Sequence, residues 1–129
     1  MLKFSGKQPP SLQDVDSIKV PLPIDNLSID KNGDIFAATF PKLFILEKSF
    51  SHPYDINPPC AVFKVATIPK RDEREGRDSA SGNSYDVVKI MEDDGKVLPG
   101  STVAVHDAET GRFFLGGVIA PYIAICETR

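Results

Sequence analysis

Short apolar runs separated by turn residues organise the chain. IDNLSID, from Ile24 to Asp30, leads through Lys31-Asn32-Gly33 into DIFAATF. Asn-Gly between two apolar runs is a strong hairpin signal, because both central residues of a type I′ turn need positive φ. A two-residue hairpin is therefore predicted at Asn32-Gly33. KLFILEKS reads as the next strand, and SHPYDINPP as a proline-rich loop. In CAVFKVATI, Val62, Lys64 and Ala66 alternate against Phe63, Val65 and Thr67, the period of a strand. YDVVKIMED, GSTVAVHD, RFFLGGVIA and YIAICET follow as strands, with turns at Asp94-Gly95 and AETG. No segment carries a sustained helical period, and EREGRDSA is interrupted by Gly76. Strands this short, at this spacing, predict an all-β fold: a sandwich, a barrel or propeller blades.

Two segments stand outside this pattern. Residues 1–19 are polar, with Pro9 and Pro10, and read as a tail or linker before a strand-rich region over 20–129. Pro69 to Ser84 is charged, then rich in serine and glycine, with no apolar run. It offers too little burial to offset its ordering entropy and reads as a flexible surface loop.

Composition narrows the function. The 129 residues suit one small domain or part of a larger one. A formal net charge of -3 gives no attraction to nucleic acid or to an anionic membrane. No window approaches the roughly 18 apolar residues of a membrane-spanning helix, and the N-terminal MLKFSGKQPP lacks the apolar run of a signal peptide. Cys60 and Cys126 are too few for a disulfide scaffold or a cysteine zinc site. Both read as small buried hydrophobes.

Few residues suggest chemistry. Asp30-Lys31-Asn32-Gly33-Asp34 alternates oxygen-bearing side chains like a calcium loop. Its glycine is fourth rather than sixth, however, and its twelfth position is Pro41 rather than glutamate, so a turn is predicted. His52 and His106 have no obvious acid or nucleophile partner in sequence and read as solvent-exposed. Ser28 and Ser101 lack the G-x-S-x-G elbow of a hydrolase nucleophile. Asp25 and Asn26, side by side, are either an Asx turn opening a strand or two oxygen ligands for a hard cation. Spacing alone favours the turn.

Four blocks in order change that balance. DNLSID with NGDIFAATFP, then NPPCAVFKV, DGKVLPGSTVAV and RFFLGGVIAPYIAICET, resemble the C-terminal part of the paraoxonase/arylesterase family over Pro21 to Thr128. The resemblance implies about two blades of a six-bladed β-propeller, roughly the last third of a family member. It also implies a calcium-dependent hydrolase of lactones or aryl esters. Asp25 and Asn26 match the family's calcium-ligating D-N pair. The ion would polarise the ester carbonyl and hold the developing oxyanion.

Departures accompany the match. Phe40 stands where the family has a histidine in the active-site wall. Cys126 matches a cysteine that the family pairs with an N-terminal cysteine, for which this chain has no counterpart. With one ligand pair, the chain alone is expected to be inactive. The alternative is a non-enzymatic propeller fragment that acts by associating with another chain through exposed blade faces. Gluconolactonase-like and strictosidine-synthase-like propellers are neighbouring families, disfavoured by the GSTVA and closing-cysteine blocks.

Overall fold

A computed structural model describes residues 16–68 and 84–127, together with backbone strands at 2–4 and 12–14. The loop expected at Pro69 to Ser84 lies outside the described residues, except that Ser84 opens a strand. Within the segment read as a polar tail, Leu2–Phe4 (β1) and Leu12–Asp14 (β2) pair antiparallel, Lys3 opposite Gln13.

The strands of the remaining chain form two antiparallel meanders. Ile24–Ile29 (β3), Ile35–Thr39 (β4), Cys60–Ile68 (β5) and Ser84–Asp93 (β6) make a four-stranded sheet in chain order. Val103–Asp107 (β7), Arg112–Gly116 (β8) and Ala124–Glu127 (β9) make a three-stranded one. The all-β expectation holds, with one exception.

That exception is KLFILEKS, predicted as a strand. Residues Leu43–Ser51 form a helix, α1. A run of four apolar residues fits a buried strand or a helix equally well, so periodicity cannot decide between them. Local propensity and flanks decide here. Leu, Glu and Lys favour the helix, and Pro41 and Pro53 bracket it. Leu46 and Ser49, three apart, are its buried face, and Ser49 Oγ donates to the Leu46 carbonyl at 2.6 Å.

The β3–β4 hairpin also departs from expectation. Gly33 N–H donates to the Asp30 carbonyl and Asp30 N–H to the Asp34 carbonyl, each at 3.0 Å. The turn thus spans three residues, with Gly33 at φ 85°, the arrangement of a type I turn closed by a left-handed residue. Asp30 explains the change. Its Oδ1 accepts the N–H of Asn32 at 2.9 Å and of Asp34 at 3.0 Å, fixing the loop from its first residue. The turn expected in place of a calcium loop is therefore present. The β7–β8 hairpin repeats the device: Gly111 N–H donates to the Asp107 carbonyl, and the Asp107 carboxylate accepts Glu109 N–H and Thr110 Oγ1.

The core lies between the two sheets. Phe36, Cys60, Val62, Leu98, Ala104 and Leu115 form one buried cluster, with Met91, Phe113, Ala124 and Cys126 packed against it. Leu98 reaches it from the β6–β7 connection, which is held at close quarters. Gly100 N–H donates to the Pro58 carbonyl at 2.9 Å. A Cβ on Gly95 (φ 95°) would meet the Asn57 carbonyl oxygen at 2.4 Å, so only glycine fits there.

Leu115 is fully buried, whereas Val118, three residues on, is 76% exposed. Leu115→Ala is expected to lower the unfolding free energy by about 2–5 kcal/mol, and Val118→Ala to change it by less than about 0.5 kcal/mol. Urea unfolding of both variants checks this, and similar losses from the two would contradict the assigned core.

Candidate functional site

A seam joins the sheets along β3 and β7. Asn26 Nδ2 donates to the Thr102 carbonyl at 2.9 Å, and Ser28 Oγ to the Ala104 carbonyl at 2.6 Å. His106 Nδ1–H donates to Asp30 Oδ2 at 2.7 Å. Each pair is 76 residues apart, so the two strands run parallel, joined at every second residue. Lys31 and Glu109 continue the line as an exposed ion pair between the hairpin tips. Alternation along β3 is therefore inverted. Its polar residues 26, 28 and 30 make the seam, while Leu27 and Ile29 are 60% and 69% exposed.

Asp25 and Asn26 do not form a turn. They lie inside β3, where Ile24 pairs with Thr39 but Leu27 pairs with Ala37. Two residues thus oppose the single Ala38, a β-bulge. Regular pleating would send neighbouring side chains to opposite faces, and a bulge releases that rule and re-aims a side chain. Both residues are exposed. The Thr102 carbonyl accepts from the Asn26 amide nitrogen, which leaves Asn26 Oδ1 free of that bond.

The donor chemistry of this pair, a carboxylate and an amide oxygen, suits calcium. Its number does not: two residues give two or three oxygens against the six to eight calcium takes. Among the described residues no three His, Cys, Asp or Glu side chains gather as a metal-binding group. The pair alone does not complete a calcium shell.

The sequence missed the Asp30–His106 pair. His106, expected in solvent, has a side chain only 16% exposed, and the Asp30 side chain is fully buried. The imidazole stacks on Phe113, with centroids 4.5 Å apart, and lies 5.0 Å from the Phe36 ring. Burial alone pushes the Asp30 carboxyl up. The hydrogen bonds from His106 and from the Asp34 and Asn32 N–H groups, with the imidazole charge, outweigh it and hold the carboxyl below its ordinary 3.8. One signal was available in sequence: a row of polar residues at alternate positions of a strand calls for partners on a neighbouring element.

Neither Ser28 nor Ser101 completes a triad with this pair. Ser28 Oγ is committed to Ala104, and Ser101 Oγ to the Val103 and Gly116 carbonyls. His52 is exposed, as expected, at the end of α1. Phe40, matched to an active-site wall, is 2% exposed and belongs to the interior. Cys60 is fully buried, which pushes its thiol up and leaves it inert. Cys126 is half-buried and, like Cys60, a free thiol. No helix among the described residues is long and apolar enough to cross a membrane.

Comparison with protein-family models gives no match, and comparison with curated protein sequences gives none either.

Asp30→Asn keeps an oxygen for the loop N–H groups but removes the carboxylate facing His106. A carboxyl held below its ordinary value stabilises the fold above that value, and the contribution is lost as pH falls through the folded one. The variant is expected to be less stable by about 1–3 kcal/mol at neutral pH. Its deficit should shrink as pH drops below 3.8 and vanish once the wild-type carboxyl is protonated. Equal deficits in urea titrations at about pH 7 and about pH 2.5 would show that the charge plays no part.

Proposed function

We propose that the two sheets are neighbouring blades of a larger β-propeller hydrolase of the calcium-dependent arylesterase/lactonase type. In this reading Asp25 and Asn26 are two of the ion's ligand residues, and the substrate is a lactone or an aryl ester. The observation that carries it is the bulge, which sets the D-N pair on β3 beside the seam with β7. A four-stranded meander is the unit of a propeller blade. Two meanders whose first strands lie parallel and adjacent fit the inner edges of two such units around a central channel. The four-block resemblance supports the same arrangement.

Because the pair supplies too few oxygens, the remaining ligands and the general base would come from further blades. Two results are expected of the purified chain. Calorimetric titration with calcium should show at most weak binding, lost in Asp25→Ala. Aryl-ester and lactone assays should show no appreciable turnover. Calcium-dependent turnover by a monomer would overturn the incomplete-site reading. If calcium binding is identical in Asp25→Ala, the pair is not a ligand set.

A second reading, a non-enzymatic propeller segment that acts by association, rests on an uncovered apolar face. Val105, Phe114 and Ile125 stand opposite one another in a row across β7, β8 and β9, and are 45%, 37% and 61% exposed. Such a row favours burial against another sheet. Sedimentation velocity is expected to show concentration-dependent association of the chain, reversed by Phe114→Glu with Ile125→Glu. A strictly monomeric wild type at high concentration would remove this reading.

A further inference from the structure

The seam closes only one side of the space between the sheets. On the other side a cleft of about 430 Å³ opens, within the range of small-molecule pockets. Its walls are apolar: Phe36, Val62, Ile90, Met91 and Phe113. A second bulge shapes one wall. Val62 pairs with Met91 but Phe63 pairs with Lys89, so Ile90 is an extra residue, and Ile90 and Met91 both line the cleft. The opposite wall is the row His106, Phe113, Cys126, directly across β7, β8 and β9.

The polar groups of this cleft are unequal. The Lys64 ammonium is paired with Asp34 at 2.6 Å. Glu127 is paired with Arg112 at 2.8 Å. Cys126 is a weak donor at best. His106 differs. Its Nδ1–H is committed to Asp30, which sets the tautomer of the neutral ring and leaves the Nε2 lone pair available. Nε2 has no hydrogen-bond partner among the described residues. The imidazole itself borders the cleft.

We propose that this cleft is a binding site for a small, uncharged aromatic molecule carrying one hydroxyl group, which donates to His106 Nε2. Aromatic walls select the ring. Nε2 of the largely buried His106 selects a donor, and the paired charges at Lys64 and at Glu127, which meets Arg112 through Oε1 at the exposed rim, give no preference for an ion. Asp30 is a positioning residue, holding the imidazole from the side away from the ligand. The site is separate from Asp25 and Asn26 and stands whether or not these bind calcium.

The test uses the full chain with 1-naphthol and naphthalene as probes at about pH 8. Saturable binding of 1-naphthol is expected, with a shift of the His106 ring resonances in NMR. Naphthalene should bind about tenfold more weakly, the effect of one missing hydrogen bond. His106→Phe should bring 1-naphthol down to the level of naphthalene, and Met91→Trp, which fills the cleft from the opposite wall, should abolish both. If neither probe binds the wild type saturably, the proposal fails. It fails equally if the two bind alike and the His106 resonances do not move, a result that needs no variant to fold.

Discussion

The joint between the two sheets depends on three side-chain hydrogen bonds, with a single backbone bond beside them, from Asn26 N–H to the Thr102 carbonyl at 3.3 Å. Asn26 and Ser28 reach from β3 to carbonyls of β7, and Asp30 receives the imidazole of His106. Each bond satisfies a group that would otherwise be left unpaired between packed sheets, where an unmade hydrogen bond costs more than a made one contributes. The core then fills the space behind the seam, with Phe36 on β4, across the ladder from Ser28, and Ala104 and Leu115 from the other sheet. Asp30 joins both levels. One oxygen sets the hairpin loop, and the other holds the second sheet.

This arrangement explains what could be read from sequence and what could not. The strands CAVFKVATI and YDVVKIMED were legible because alternation is a local property of a pleated chain. The helix at Leu43–Ser51 was not, because LFIL is apolar at every position and carries no period. The turn at Asn32-Gly33 was found but given the wrong length, since Asp30 rather than the Asn-Gly pair governs its geometry. His106 was misplaced because its partner lies 76 residues away. Asp25 and Asn26 stood out in sequence as an adjacent acid and amide. The reason they are unusual, an extra residue in the ladder, belongs to the pairing of two strands and not to either alone.

The blocks that carry the family resemblance meet one another in space. DNLSID lies along GSTVAV at the seam. NPPC lies under DGKVLPG, where Pro58 accepts from Gly100 and Cys60 Sγ contacts the Leu98 carbonyl at 3.4 Å. Gly117 is pressed against the same corner, where a Cβ would lie 2.2 Å from the Gly100 carbonyl oxygen. Much of what those blocks do in this chain is therefore to set the geometry of two docked sheets, and the Asp25–Asn26 bulge is the part of them that sets two oxygen-bearing side chains side by side.

The separation of the seam partners has a kinetic consequence. Each meander is built from neighbours in the chain, whereas joining β3 to β7 closes a loop of 76 residues. Loop-closure entropy is lost before such distant contacts begin to reward it. The hairpins are thus the early structures on the folding path and the docking of the sheets a late one. Until docking is complete, the polar row of β3 and the apolar faces behind it are both open to solvent, and the half-folded chain is most exposed to wrong partners at that stage.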